Sequence, residues 1–178
     1  MIIILMKGVI MKKFLKFSGI VAFVVGLVGF ILMLATNAIV WQSGSLQYVV
    51  KGTTAIFGAK NETILGTAVT NPSPMALIAW ILGLVGLLLV CFGIVLPLLK
   101  SKKLDKFAGL LNLVAVVCLV LAGVFMFFVV PTFYGANDAK VPDGTAIGAG
   151  WVIGGILFIS AGALAILPAA MDFLGKKK

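Results

Sequence analysis

Few residues in this chain have side chains that commonly do chemistry, and they are scattered. The chain of 178 residues has no His, and all 14 of its basic residues are Lys. His is the usual general base, proton carrier and transition-metal ligand near neutral pH, so the commonest catalytic and metal sites are removed. Asn137, Asp138 and Asp143 offer a candidate oxygen set for calcium, but their spacing matches no EF-hand loop and two carboxylates are few. We interpret them as a solvated turn and predict no metal and no cofactor.

The remaining polar or reactive side chains of interest lie inside apolar stretches. Cys91 and Cys118 are the only thiols, and we interpret them as small apolar packing residues. Asn112 is the most deeply placed strongly polar residue, and we expect it to hydrogen-bond a neighbouring helix, a contact worth about 1 kcal/mol. None of the long apolar stretches contains the charged residue that commonly marks an ion pathway or proton relay. We therefore predict no catalytic residue and expect that the protein is not an enzyme.

The composition predicts an integral membrane protein with four helices. The chain is 62% hydrophobic and 11% charged, against about 45–50% and about 25% in soluble domains. Its apolar runs are close to the roughly 20 residues that cross a bilayer, and their continuity excludes the alternation of barrel strands. We predict an all-α transmembrane four-helix bundle in a single domain, 1–178. The predicted helices cover 17–36, 75–99, 107–130 and 147–171.

The distribution of lysine predicts an orientation. Eleven of the Lys residues lie before the first helix, between the second and third, or after the fourth, and with two Asp they give these segments the whole net charge of +9. Cytoplasmic segments collect Lys and Arg. We therefore expect a multi-pass protein of the cell membrane with both termini and the loop 100–106 cytoplasmic, and with loops 37–74 and 131–146 external.

The expected partners follow from the same charges. We interpret the lysines as a topological anchor that is also compatible with anionic lipid head groups. A short basic turn lacks the folded readout elements of a nucleic-acid-binding protein, so we expect no nucleic-acid partner. The expected partners are the lipid bilayer and a protein partner or a second copy of the chain.

Small residues predict where the helices pack. Glycine recurs in the first, second and fourth helices, and the stretch from Gly150 to Gly154 has the small-xxx-small spacing that lets helix backbones approach closely in lipid. We favour packing within one chain and leave contact with another subunit open. The candidate packing residues are Gly26, Gly29, Gly83, Gly86, Gly150 and Gly154.

The first external loop has the pattern of short strands joined by turns. Segments rich in Val, Ile, Thr and aromatic residues alternate with turn signals between 37 and 74, and we expect two to four strands that form a small extracellular β-sheet. Trp41, Tyr48 and Phe57 are candidates for external recognition. Aromatic residues are also ordinary at membrane interfaces, so that interpretation stays open.

The layout resembles the tetraspan topology of the claudins. The shared features are cytoplasmic ends, a long first external loop with strand-like content, a short basic cytoplasmic turn and a shorter second external loop. The resemblance is one of topology, since the first loop has Trp41 but no following Gly-Leu-Trp and no Cys. No residue role is carried over.

These observations favour a non-catalytic membrane protein that acts through protein or lipid contacts, as an accessory subunit, a scaffold or an envelope protein. The alternative is a small oligomeric pore or transporter in which the glycine-rich helix faces make subunit contacts or line a path.

Overall fold

The computed structural model describes the backbone of residues 2–63, 66–96 and 102–174, and the side chains of 17–60, 69–96 and 107–169. The described part is mostly helical, with two small antiparallel sheets. In chain order the elements are α1 (Ile2–Ala35), β1 (Asn37–Ser43), β2 (Leu46–Lys51), α2 (Gly52–Phe57), β3 (Ala59–Thr63), β4 (Gly66–Thr70), α3 (Pro74–Val95), α4 (Lys102–Met126), α5 (Val129–Ala136), β5 (Thr145–Ile147) and α6 (Ala149–Leu174).

Four helices are long and apolar enough to cross a membrane, which confirms the coarse prediction of a mostly helical, four-span chain. Their outward-facing side chains are large and apolar, as with Ile20, Val24 and Ile31 along α1. In lipid such faces need no polar covering, because the surrounding solvent is itself apolar. The spans are Phe17–Ala35 in α1, Pro74–Val95 in α3, Phe107–Met126 in α4 and Ala149–Ala169 in α6.

Several boundaries differ from the predicted ones. The helix α1 already begins at Ile2, and residues 102–106 of the predicted cytoplasmic loop belong to α4. The predicted end of the second helix at 97–99 and the loop residues 100–101 lie outside the described residues. The segment 131–146, predicted as the second external loop, begins inside the helix α5.

Pro131 explains why the third long helix breaks and then continues. A proline lacks the N–H that would bond to the carbonyl four residues earlier, here that of Phe127, and its ring crowds that carbonyl. The chain tightens just before it: Phe127 N donates to Val124 O at 3.1 Å and Phe128 N to Phe125 O at 3.1 Å. The helix then resumes as α5, because a proline is tolerated in the first turn of a helix.

Two adjacent glycines bring α6 against both α1 and α4. A Cβ on Gly29 of α1 would lie 3.0 Å from the carbonyl oxygen of Gly154, and a Cβ on Gly155 would lie 3.2 Å from that of Gly123 in α4. Neighbouring positions on a helix point about 100° apart, so they can serve two different neighbours. Backbone-to-backbone contact of this kind is a major source of helix association in lipid.

Large side chains from neighbouring helices fill the space above the other packing glycines. The fully buried Phe158 of α6 lies over Gly83 of α3, and Leu119 of α4 lies over Gly86. The structure thus places five of the six candidate packing glycines against another helix of the same chain, and Gly150 against Thr36, just past the end of α1. The six candidates are Gly26, Gly29, Gly83, Gly86, Gly150 and Gly154.

The larger sheet joins the two connections that were predicted to be external. Its strand order is β2–β1–β5, with β1 paired antiparallel to both neighbours, while β3 and β4 form a separate hairpin. The first connection thus forms the predicted small sheet in part, and β5 from the second connection completes it. Gly148 brings β5 into place: its N–H donates to Ala38 O at 2.9 Å, and a Cβ there would overlap the Asn37 carbonyl.

A second tight approach fixes the sheet on the helices. Gly52, which begins α2, donates its N–H to Thr36 O at 2.8 Å. A Cβ on Gly52 would overlap the carbonyl oxygen of Met33 in α1, so no side chain fits at this position. The strand pair β1–β2 therefore leaves the end of α1 and returns to it.

We expect Gly123→Ala to destabilise the protein by about 1–3 kcal/mol, the typical cost of overpacking. Its Cβ would lie 2.6 Å from the Gly155 carbonyl oxygen, and a backbone atom cannot turn aside. The matched control is Gly135→Ala in α5, where a Cβ meets nothing within 4 Å. Thermal unfolding in detergent micelles measures both; equal midpoints for the two variants would contradict the assigned contact.

Candidate functional site

Two of the three aromatic recognition candidates meet on one face of the larger sheet. Trp41 of β1 pairs in register with Tyr48 of β2, and directly opposite residues of antiparallel strands share a face. Trp41 is half-buried, and its Nε1–H donates to the carbonyl oxygen of Asp143 at 2.9 Å. The Tyr48 side chain is 57% exposed. The sheet therefore holds the indole in place and leaves the phenol ring open to the surroundings.

The same face continues as an apolar row from the helices to the tip of the hairpin. Ile39 and Val50 pair at its inner end and are fully buried, whereas Leu46 at the tip is 67% exposed. We name its open part, formed by Trp41, Leu46 and Tyr48, the distal patch. Sequence reasoning missed Leu46. Every second residue of a strand points to the same face, and Leu46, Tyr48 and Val50 are all apolar or aromatic, which could have indicated it.

The third candidate, Phe57, lies elsewhere. It is the last residue of α2, it is 54% exposed, and its ring meets Trp80 of α3 edge-on with centroids 5.2 Å apart. Trp80 in turn stacks on Phe30 of α1 at 6.4 Å. The three aromatic rings thus join α2 to the sheet-side ends of α1 and α3, where amphipathic aromatics are common in membrane proteins.

A reciprocal pair of asparagines ties the two connections together next to the sheet. Asn71 donates its N–H to Asn137 Oδ1 at 2.7 Å, and Asn137 Nδ2 donates back to Asn71 O at 3.0 Å. Asn137 Nδ2 also donates to Phe133 O at 2.8 Å, and Asn71 Nδ2 to Ala136 O at 3.0 Å. The sequence indicates only a solvated turn at Asn137, because a pairing across 66 positions leaves no local signal.

A buried serine fixes the start of α3 to α5. Ser73 is the N-cap residue of α3: its Oγ accepts from Ala76 N at 3.3 Å, and it lies 2.6 Å from Thr132 Oγ1. Thr132 directs its own hydroxyl to Phe128 O at 2.7 Å, so Ser73 is the donor in the bond between the two hydroxyls. This chain of bonds satisfies a buried polar group and links α3 to the helix that follows the Pro131 break.

Trp151 fills the space behind that break. Its side chain is fully buried, and its Nε1–H donates to the carbonyl oxygen of Met126, the last residue of α4, at 2.8 Å. Sequence analysis missed Trp151 as well. A buried indole needs an acceptor, and the carbonyls at a proline-induced break are natural ones.

Asn112 lies between α4 and α3, away from the sheet. It is 5% exposed, and its side-chain amide lies directly over Gly93 of α3, where a Cβ would overlap it. The hydrogen bond expected of this amide stays a prediction. Within the part of the chain that the structure describes, no group of three or more His, Cys, Asp or Glu could hold a metal ion.

We expect Asn137→Ala to lower stability by about 1–3 kcal/mol, because it removes three hydrogen bonds, each with a net contribution of about 0.5–1.5 kcal/mol. Asn137→Asp keeps the oxygen that accepts from Asn71 N but loses the two hydrogen bonds that Nδ2 donates, so we expect an intermediate loss of stability. Lys140→Ala, at an exposed position nearby, is the control. Thermal unfolding and limited proteolysis between 137 and 148 provide the measurements; an Asn137→Ala protein as resistant as the control would show that the asparagine pair contributes nothing.

Comparison with protein-family models finds no match for this chain, and comparison with curated proteins finds none either, so the resemblance to claudins stays one of topology.

Proposed function

We propose that this chain is a small, non-catalytic four-helix protein of the cell membrane that acts by contact through its sheet-bearing end. The observation that carries the proposal is the distal patch. Leu46 and Tyr48 are large and more than half exposed. Their sheet is fixed at its inner end, where Gly148 bonds to Ala38 of β1 and Gly52 bonds to Thr36, just past the end of α1. An apolar patch on a rigid support is typical of a contact surface for another protein.

The proposed orientation rests on the charge distribution. The strands lie at one end of the four spans, whereas the lysine-rich segments begin α1, connect α3 to α4 and follow α6 at the opposite end of each helix. Lysine-rich connections are retained in the cytoplasm. The sheet-bearing end is then external, and both termini are cytoplasmic.

The proposed contact with lipid head groups involves a different part of the molecule from the distal patch. Phe57, Trp80 and Phe30 form an aromatic row where α2 meets the outer faces of two spans. The indole of Trp80 is the amphipathic ring among them, and Trp is enriched at the boundary between head groups and hydrocarbon. The row would hold the sheet at a fixed height above the bilayer, which leaves the distal patch free for a protein partner. That arrangement suits an accessory subunit, a scaffold or an envelope protein.

The alternative of a pore or transporter receives less support from the packing. The glycines proposed to line a path, such as Gly83 and Gly86, are covered by Phe158 and Leu119 of the same chain. A path along these faces would require those side chains to move away. Polar substitution of these glycines followed by a flux assay in reconstituted vesicles distinguishes the two functions.

We expect a single Cys at Ser45, in the turn between β1 and β2, to react with a membrane-impermeant maleimide in intact cells. A single Cys at Ser101, in the lysine-rich connection, should react only after the cells are permeabilised. Cys91→Ala and Cys118→Ala provide the background. Reaction at 101 in intact cells, with protection at 45, would reverse the proposed orientation.

We expect Leu46→Ser together with Tyr48→Ser to reduce recovery of the partner at least tenfold when the protein is purified from its native membrane in mild detergent. The reason is loss of apolar area, about 25 cal/mol per Å² removed from water. Val69→Ser is the matched control, since Val69 on the separate hairpin is 58% exposed. Unchanged recovery with the double variant would remove the distal patch from the proposed function.

A further inference from the structure

The three tryptophans of the chain differ in what their indole N–H groups meet. Trp41 donates to the Asp143 carbonyl oxygen at 2.9 Å, and Trp151 donates to the Met126 carbonyl oxygen at 2.8 Å. Trp80 is half-buried, and its Nε1–H has no acceptor among the described residues. A tryptophan N–H that is removed from water usually finds a partner, so we expect an acceptor that lies outside the described part of the chain.

The Nε1 atom of Trp80 is accessible from outside the protein. Every buried side-chain nitrogen or oxygen atom of the described residues has a hydrogen-bond partner, so this unpaired atom lies at the molecular surface. Trp80 stands at the edge of the buried face of α3: Ala79 and Gly83 are buried, whereas Ile81 and Leu84 are exposed. Because α3 is long and apolar enough to span a membrane, this exposed edge faces lipid.

The position of Trp80 along α3 places its ring near one boundary of the hydrocarbon. The span Pro74–Val95 has 22 residues, which gives about 33 Å at 1.5 Å per residue, against a hydrocarbon core of about 30 Å. Trp80 follows Pro74 by six positions, so its Cα lies about 9 Å from the start of α3. The Cα–Cβ bonds of a helix tilt toward its N-terminus, which brings the ring closer to that start.

Two neighbouring rings hold the indole at this level. Phe30 of α1 stacks on Trp80 with centroids 6.4 Å apart, and Phe57 of α2 meets it edge-on at 5.2 Å. Phe30 precedes Ala35, the end of α1, by five positions, so the two spans carry aromatic rings at a similar depth. The N–H that faces lipid therefore belongs to a ring that is supported from two sides.

We propose that Trp80 Nε1–H donates a hydrogen bond to a glycerol-ester carbonyl oxygen of a phospholipid, in the leaflet on the sheet side of the membrane. The inference rests on the proposed function, since it names the lipid group that the aromatic row meets. Ester carbonyls lie at the boundary of the hydrocarbon core, whereas the phosphates of the head groups lie farther out. A ring within the first turns of α3 therefore meets the carbonyl before the phosphate.

Quenching of Trp80 fluorescence in vesicles of brominated phosphatidylcholine tests the depth of the ring. The signal of Trp80 is the difference between the wild-type protein and Trp80→Phe, a variant that keeps an aromatic ring between Phe30 and Phe57. Bromine near the ester end of the acyl chain should quench this signal at least twofold more than bromine near the methyl end. Stronger quenching from the methyl end would overturn both the inference and the proposed role of the aromatic row.

Replacement of the ester lipid by a diether phosphatidylcholine, which has the same head group but no carbonyl, tests the acceptor. Ultraviolet resonance Raman spectra report whether an indole N–H is hydrogen-bonded, and the difference between wild type and Trp80→Phe isolates Trp80. Its band should have the position of a bonded N–H in diester lipid and shift to the unbonded position in diether lipid. Trp41 is the control: its N–H bonds to Asp143 O, so the difference between wild type and Trp41→Phe should be the same in both lipids. Circular dichroism of each variant provides the folding control.

Two Raman results would overturn the inference. A bonded band in both lipids would show that the acceptor is phosphate or water, and an unbonded band in diester lipid would show that no lipid group accepts. The proposed function fails separately, because contact with a protein partner is measured by the recovery experiment at Leu46 and Tyr48. Suppose that quenching is strongest from the ester end but the N–H is unbonded. The aromatic row then keeps its place at the boundary, and only the hydrogen bond is excluded.

Discussion

Close contact between glycine backbones near the start of α6 is the constraint on which the rest of the structure depends. Gly154 meets Gly29 of α1, and the next residue, Gly155, meets Gly123 of α4. Lipid offers little hydrophobic drive for helices to associate, so van der Waals contact and backbone approach determine which helices are neighbours. The start of α6 is thereby held beside the end of α1.

That juxtaposition creates the sheet. Because β1 follows α1 and β5 precedes α6, bringing these two helix ends together places β5 alongside β1. The N–H of Gly148, just before α6, then bonds to Ala38 of β1, and the N–H of Gly52 bonds to Thr36 at the end of α1. The asparagine pair and Ser73 add a second attachment at α3 and α5. A small sheet without a core of its own is stabilised in this way by the helices beneath it.

The break at Pro131 connects this geometry to the third long helix. The tightened turn before the proline leaves carbonyls that the regular α-helical pattern does not satisfy, and the indole of Trp151 reaches one of them, that of Met126. Thr132, just beyond the break, meets Ser73. One backbone irregularity therefore receives partners from α6 and from the start of α3, and it fixes how α5 lies beside the sheet.

The sequence by itself determined a mostly helical chain, four helices long and apolar enough to span a membrane, and a strand-forming first connection. These features depend on the length of the apolar runs, on composition and on the alternation of side chains along a strand, all of which are local in the chain. It also indicated the packing glycines and the aromatic residues Trp41, Tyr48 and Phe57, but not their surroundings. Only the tertiary structure decided that Trp41 and Tyr48 share a face while Phe57 joins Trp80, that β5 completes the sheet, and that Asn71 meets Asn137. These pairings join residues far apart in the chain, and they exist because glycine contacts in α6 bring particular helix ends together, which no local pattern encodes.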